Sequence, residues 1–333
     1  MMTSVEFNHQ ILNINAAAET GRIVSFLQQT IRQKLHRYGS VVGISGGVDS
    51  SLVLALCVRA FGVDRVAAVM MPEKDSDSET LRLSRLVAAH YGVEPILEDI
   101  TPVLDGFGCY LRRDEAIRRI FPEYLPQAGY KAKIGLPQNL LNEDTLNVFS
   151  LTIVAPDGEE KSQRLPLRDY FQIVAASNFK QRTRMAMLYY HAELRNYAVI
   201  GTANKNEHDQ GFFVKWGDGG VDVKPIAHLF KTQVYLLAEY LDVPLEIRQR
   251  LPTTDTYSAP STQQEFFFRL PFEMMDLLWY AQEHGISVAQ VTQVMGLSEA
   301  QVKRAFDDFN RKSRTTDYLR LMAIGLEQDA VSA

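Results

Sequence analysis

The sequence predicts an α/β fold: a doubly wound parallel sheet, interrupted by an inserted segment and followed by a helical C-terminal part. Three observations carry this. Short apolar runs alternate with helical patterns between residues 41 and 97, as expected for parallel strands buried on both faces. A Ser-Gly-Gly turn joins the first of these runs directly to a helix. From about residue 262 onward the apolar spacing is helical only.

The elements follow in order. Over residues 15–37, Ile23, Phe26, Leu27, Thr30, Ile31 and Leu35 share a helical face, and Tyr38-Gly39 ends the helix. Residues 41–44 read as a central strand, and 51–61 as a helix closed by Gly62. A second strand over 66–71 stops at Pro72; a helix over 78–91 precedes Gly92; residues 95–97 make a third strand. This alternation means βαβ units. Residues 105–175 are less regular, with proline and glycine punctuation, a charged stretch over 112–119 and a hairpin in "LTIVAPDGEEKSQRLPL" turning at Pro-Asp-Gly. They read as an insertion or lid. A helix over 177–195, a fourth strand over 197–201 and a helix over 231–241 complete the sheet region. The boundary is placed at 261, with a helical extension over 262–333.

Composition excludes several classes. The net charge is −5, without a long basic block, which argues against nucleic-acid binding through a broad patch. Cys57 and Cys109, the two cysteines, stand in no metal spacing, which argues against a disulfide framework, a zinc site or a thiol relay. No apolar leader and no stretch of about 18 apolar residues is present, so a soluble cytoplasmic protein is expected. Residues 286–314 have the outline of a helix-turn-helix, but Asp307 and Asp308 on its second helix would face phosphates badly. A helical hairpin packed on the rest is the preferred reading.

The junction "VVGISGGVDSSLVLAL" presents backbone N–H groups and the hydroxyls of Ser45, Ser50 and Ser51 at a helix N-terminus, a setting that favours an anion such as phosphate. It has no lysine, so it is not a GxxxxGK[ST] loop, and Gly43, Gly46 and Gly47 do not give the GxGxxG spacing.

What remains, S-G-G-x-D-S, resembles the pyrophosphate loop of the ATP pyrophosphatase (N-type) superfamily. Within that superfamily, "GTANKNEHDQGFFVKWGDGGVDVKPIAHLFKTQV" (201–234) resembles the signature of the NAD synthetase family. "NFKQRTRM" (178–185), "MPEKDSDSE" (71–79) and "LPTTDTY" (251–257) resemble three further family segments. The likeness covers roughly residues 15–100 and 175–257.

The resemblance implies a five-stranded sheet of the adenine nucleotide alpha hydrolase type, with ATP and Mg2+ as substrate and cofactor. It implies that ATP meets Gly43, Ser45, Gly46, Gly47, Asp49, Ser50, Ser51, Met71, Thr202, Lys231 and Thr253, with the adenine near residues 69–71. It assigns magnesium to Asp49 and Glu207, and the substrate to Asn178, Arg182, Lys215, Asp218 and Asp222. Asp49, Asp218 and Lys231 are the implied catalytic residues. The reaction would be amidation of deamido-NAD: the nicotinate carboxylate attacks the α-phosphorus of ATP, pyrophosphate leaves into the loop, and ammonia displaces AMP. Neither cysteine has the surroundings of an activated thiol, so free ammonia or a separate glutaminase is expected as the nitrogen source.

Two departures from the family pattern keep a related amide ligase for another carboxylate open. The stretch over 105–175 is longer than the link expected there, and a basic His-rich tail is missing, with Arg311, Lys312, Arg314 and Arg320 as candidate equivalents. A homodimer is implied. The face of Ile23, Phe26, Leu27 and Ile31 and the phenylalanines 266–268 read equally as interface or core.

Overall fold

The computed structural model describes residues 7–137, 140–141, 148–253 and 256–326. After helix α1 (Ala16–Gln29) and a π-helical turn (Thr30–Lys34), strand β1 (Ser40–Gly43) leads into α2 (Val48–Phe61), β2 (Val66–Met70), α3 (Ser78–His90) and β3 (Ile96–Leu97). Helices α4 (Thr101–Gly106) and α5 (Cys109–Ile120), a hairpin sheet of β4 (Lys131–Gly135), β5 (Ser150–Val154) and β6 (Glu160–Arg164), and the long α6 (Leu167–Arg195) come next. The chain returns through β7 (Ala198–Ile200), α7 (Lys205–Gln210), α8 (Lys231–Tyr240) and α9 (Leu245–Gln249), and continues into α10 (Phe272–Glu283), α11 (Val288–Met295) and α12 (Glu299–Arg320).

The main sheet is parallel, in the order β3-β2-β1-β7. Alternate residues of each strand enter opposite cores. Val42, Ala68, Met70, Ala198 and Ile200 pack with α1, α2, α3 and α8. Val41, Ala67, Val69 and Val199 pack with α4, α5 and α6. Both faces are covered, which is why the strands read as unbroken apolar runs.

The fifth strand is not formed among the described residues. Val223 makes a single parallel bridge to Ile200; two residues later Pro225 has no N–H to carry a ladder on. Within the stretch read as irregular from residue 105, α5 is a regular helix over Cys109–Ile120. Arg113 and Asp114 in the charged stretch are buried and bonded to each other at 2.9 Å, so they mimic a solvated segment in the sequence. Helix α6 begins ten residues earlier than position 177, directly after Pro166, and Arg119 holds its first turn through Asp169 at 2.8 Å.

The insertion is an antiparallel sheet. Ala132, Ile134, Leu151 and Ile153 face Ala116, Ile117 and Ile173 of α5 and α6, while β6 is exposed throughout. The C-terminal helices share a core of Met275, Leu278, Val291, Val302, Ala305 and Phe309, which Phe7, Leu12 and Phe230 also enter. Residues 286–314 are therefore a hairpin packed on α10, with Asp308 turned inward onto Lys312 at 2.7 Å. Ile23, Leu27, Ile31 and Phe268 are core residues; Phe26 is exposed. No helix among the described residues is long and apolar enough to cross a membrane.

Candidate functional site

The loop between β1 and α2 is shaped by glycine. Gly46 sits at φ +67°, and a Cβ there would stand 2.6 Å from Leu83 Cβ on α3, so the loop folds tightly against that helix. Gly47 caps α2 without a side-chain bond, leaving the first-turn amides and the dipole of the helix to a ligand. The hydroxyls of Ser45 and Ser50 lie 3.2 Å apart, and Ser50 donates to Gly47 O at 3.1 Å. Ser51 is buried and donates to Gly47 O at 2.8 Å.

This loop forms one wall of a cavity of about 1050 Å³. The cavity lies past the C-terminal ends of β1, β2 and β7, at the point where the strand order reverses, which is where open α/β sheets bind ligands. Gly43, Ser45, Gly47, Asp49 and Ser50 line it, with Met71, Thr202, Lys231 and Thr253. So do Asn178 and Arg182 of α6, Lys215 and Asp218, and Glu207 of α7. Three of the sequence-selected residues stand outside the lining. Gly46 faces α3 and Ser51 is spent inside α2. Asp222 accepts bonds from Val199 N at 2.8 Å and Tyr189 Oη at 2.9 Å, at the sheet edge. The loop that includes Thr253 continues into residues 254–255, which lie outside the described residues.

The charged centre is built from three elements. Asp49 of α2 is ion-paired with Lys231, the first residue of α8, and accepts from Asn204 Nδ2 at 2.9 Å. Asn204 also caps α7: its Oδ1 accepts from Glu207 N at 3.1 Å, and its own N donates to Glu207 Oε2 at 3.2 Å. Gln263 Nε2 donates to Glu207 Oε1 at 3.0 Å. Burial, and then the neighbouring Asp49 charge, push the Glu207 carboxyl up to about 8. Burial opposes the Lys231 ammonium, but the Asp49 and Glu207 carboxylates outweigh it and hold its pKa above the ordinary value. Asp218 accepts from Val214 N at 2.8 Å, yet burial pushes its carboxyl up to about 6.

This donor set fits a hard divalent cation. Asp49 is ion-paired with Lys231, and Glu207 lies close enough to feel both charges; burial, and after it the Asp49 charge, raise the Glu207 carboxyl. No group of three or more His, Cys, Asp or Glu side chains suited to a metal occurs among the described residues. Asp49 and Glu207 are the carboxylates here that could hold magnesium, an ion usually bound by one or two carboxylates with phosphate and water in its other positions.

Sequence reasoning missed several residues. Asn204 was legible as the N-x-x-E capping box ahead of Glu207. Lys180 of α6 is buried against Glu73, Asp75 and Thr256 O, each at 2.8 Å, and ties the loop after β2 to the 256–257 region. Arg184 donates to Met71 O at 3.3 Å. Asp276 of α10 meets α7 and α8, with no local signal in the sequence. Of the basic residues near the C-terminus, Arg311 and Lys312 line the cavity. Arg314 does not, and Arg320 instead donates to the carbonyls of His208 and Asp209 at 3.0 and 3.1 Å. The insertion contributes Ile134, Leu136, Phe149 and Tyr170 to the wall.

The NAD synthase family model matches residues 19–123 and 144–316, and so reaches the C-terminal helices that the sequence motifs did not. An NH3-dependent NAD+ synthetase of Rhizobium meliloti (strain 1021) is 50% identical over 315 residues, covering 95% of this chain and 93% of the relative. One from Mesorhizobium japonicum is 48% identical over 322 residues, covering 96% and 100%. The solved NH3-dependent NAD synthetase of Campylobacter jejuni superposes with a TM-score of 0.61 at 22% identity, covering 94% of this chain and all of that one, a likeness of fold.

Proposed function

The chain belongs to the NAD synthase family, and from that membership we propose that it forms NAD+ from deamido-NAD, ATP and ammonia, releasing AMP and pyrophosphate. The observation that carries the reading is the meeting of Asp49, Glu207 and Lys231 beside a lysine-free glycine loop, inside a cavity large enough for nucleotides. A loop of this kind suits cleavage of ATP between its α and β phosphates, with the required cation brought from a different element.

The residues divide the work as follows. The amides behind Gly47 and the hydroxyls of Ser45 and Ser50 receive the leaving pyrophosphate. Asp49 and Glu207 would hold magnesium, which when bound would supply charge neutralisation. Lys231 offsets the charge that grows on the phosphates, and the pairing with Asp49 keeps its ammonium aimed at them. Thr202 and Thr253 offer hydroxyls to ATP, and the adenine rests by Met71. Asn178, Arg182 and Lys215 hold deamido-NAD on the opposite wall.

In the first step a carboxylate oxygen of the nicotinate ring bonds to the α-phosphorus and the α–β anhydride bond breaks. In the second the ammonia lone pair attacks the acyl carbon, and AMP leaves with the electrons of the acyl–oxygen bond. Asp218, still a carboxylate above about pH 6, takes the proton that ammonia loses. Burial pushes the thiols of Cys57 and Cys109 up to about 12 and about 11, which supports ammonia rather than thiol-dependent glutamine chemistry. Further parts of this reading are a cytoplasmic location and a homodimer, the latter supported by the exposed Leu167, Phe171, Tyr190 and Leu194 on α6.

The test is incubation with ATP, magnesium, ammonium and deamido-NAD, set against other nicotinate carboxylates. NAD+ formed preferentially from deamido-NAD supports the reading. A folded protein that amidates only another acid overturns it.

A further inference from the structure

We propose that Asp276, on α10, is a positioning residue that sets Lys231 and the Glu207 segment in register from outside the site. The inference rests on the function proposed above and deepens it. Asp276 is fully buried. Its hydrogen-bond partners are neutral and lie at the ends of two site-forming helices. Oδ2 accepts from Thr232 N at 2.9 Å and from Thr232 Oγ1 at 2.8 Å; Oδ1 accepts from Asn206 Nδ2 at 2.5 Å. Asn206 in turn accepts from Lys231 N at 2.9 Å.

One carboxylate thereby fastens the first two backbone positions of α8, directly in one case and through Asn206 in the other. Those amides have no partner inside their own helix, and a negative charge there also complements the helix dipole. Asn206 is the chain neighbour of Glu207. The same group therefore fixes the spacing between the lysine and the carboxylate that face the phosphates. A second tie runs parallel to it: Lys205, the first residue of α7, pairs with Glu283 at the end of α10 at 2.7 Å.

A buried carboxylate with amide and hydroxyl partners is costly to keep. Apolar packing alone would dock α10, whose Met275, Leu278 and Trp279 share a core with Val291, Val302 and Phe309. What the carboxylate adds is direction. It accepts only at set angles, and it transmits the place of α10 to the Lys231 backbone. Loss of that constraint moves a reacting group by a fraction of an ångström to an ångström, a displacement that costs up to about 100-fold in rate.

The variant Asp276→Asn keeps shape and volume but turns one acceptor into a donor that faces a donor. The expected result is a fall in kcat of about 10- to 100-fold with KM for deamido-NAD changed less than about threefold. Thr232→Val removes one of the three bonds at smaller structural risk, and is expected to show the same split at about 3- to 10-fold; it decides the matter if the first variant does not fold. Val291→Ala, a core truncation in α11 remote from these bonds, is the structural control. It should lower Tm and leave kcat of the folded enzyme unchanged. Wild-type kcat in folded Asp276→Asn overturns the proposal, and where that variant does not fold, wild-type kcat in Thr232→Val overturns it; a kcat loss in Val291→Ala equal to theirs at matched Tm overturns it as well. Failure of the wild-type protein to make NAD+ is a different outcome, and overturns the proposed function itself.

Discussion

Asp49 and Lys231 lie 182 positions apart in the chain and form an ion pair at the mouth of the glycine loop. The pair joins the N-terminal turns of α2 and α8. On the proposed function it gives the loop the cation that its own sequence lacks.

Removing that cation should stop the chemistry more than the binding. Lys231→Met leaves Asp49 and Glu207 facing each other, and the transferring phosphates without a fixed positive group. A loss of kcat of about 100- to 1000-fold is expected, read by NAD+ formation at saturating ATP. Lys231→Arg should rescue little, because the side chain is fully buried and the guanidinium is larger.

Glu207 should trade stability for function. Burial and the Asp49 charge raise its pKa in the fold, so the ionised form strains the ligand-free protein. Glu207→Gln is expected to raise Tm of the ligand-free protein at pH above 8 and to raise the magnesium concentration needed for half-maximal activity. Thermal melts and magnesium titrations read the two effects. Removal of divalent cations by a chelator should abolish turnover in the wild-type protein, and added magnesium should restore it.

The pH profile should report Asp218. Its carboxyl titrates at about 6 in the fold against an ordinary value of 3.8. As a proton acceptor it works only when ionised, so kcat at a fixed concentration of free ammonia should fall about tenfold per unit below pH 6. Asp218→Asn should be slow and lack this limb. The linkage to stability has the opposite sense. The folded protein binds this proton more tightly than the unfolded chain, so the contribution is complete below about 3.8 and is lost as pH rises through about 6.

The glycine loop should not tolerate a side chain at position 46. Gly46→Ala requires a left-handed alanine, about 1–2 kcal/mol, and a Cβ at 2.6 Å from Leu83 Cβ. A lower denaturation midpoint and weaker ATP binding are expected together, since the same displacement moves α3 and the loop. Equilibrium unfolding and calorimetric titration measure them.

The sheet was legible because β1, β2 and β7 are buried on both faces, so Val41-Val42 and the run over 66–70 are apolar without interruption. The loop was legible because its glycines and Asp49 all lie between positions 43 and 49. Helix α5 was not, because Arg113 and Asp114 are buried charges that resemble a surface. Ser51 and Asp222 have the right chemistry, but their side chains bond to Gly47 and to Tyr189 with Val199, and they lie outside the cavity. Asp276 could not have been found locally, since its partners lie 44 and 70 positions away. Spacing reveals what one element does; it does not reveal which distant element holds it in place.

The most direct test of the account is the product balance of a single reaction with ATP, magnesium, deamido-NAD and ammonium. The account predicts NAD+, AMP and pyrophosphate in equal amounts, with the yield abolished in Lys231→Met. ADP and inorganic phosphate in place of AMP and pyrophosphate, or undiminished yield in Lys231→Met, would contradict it.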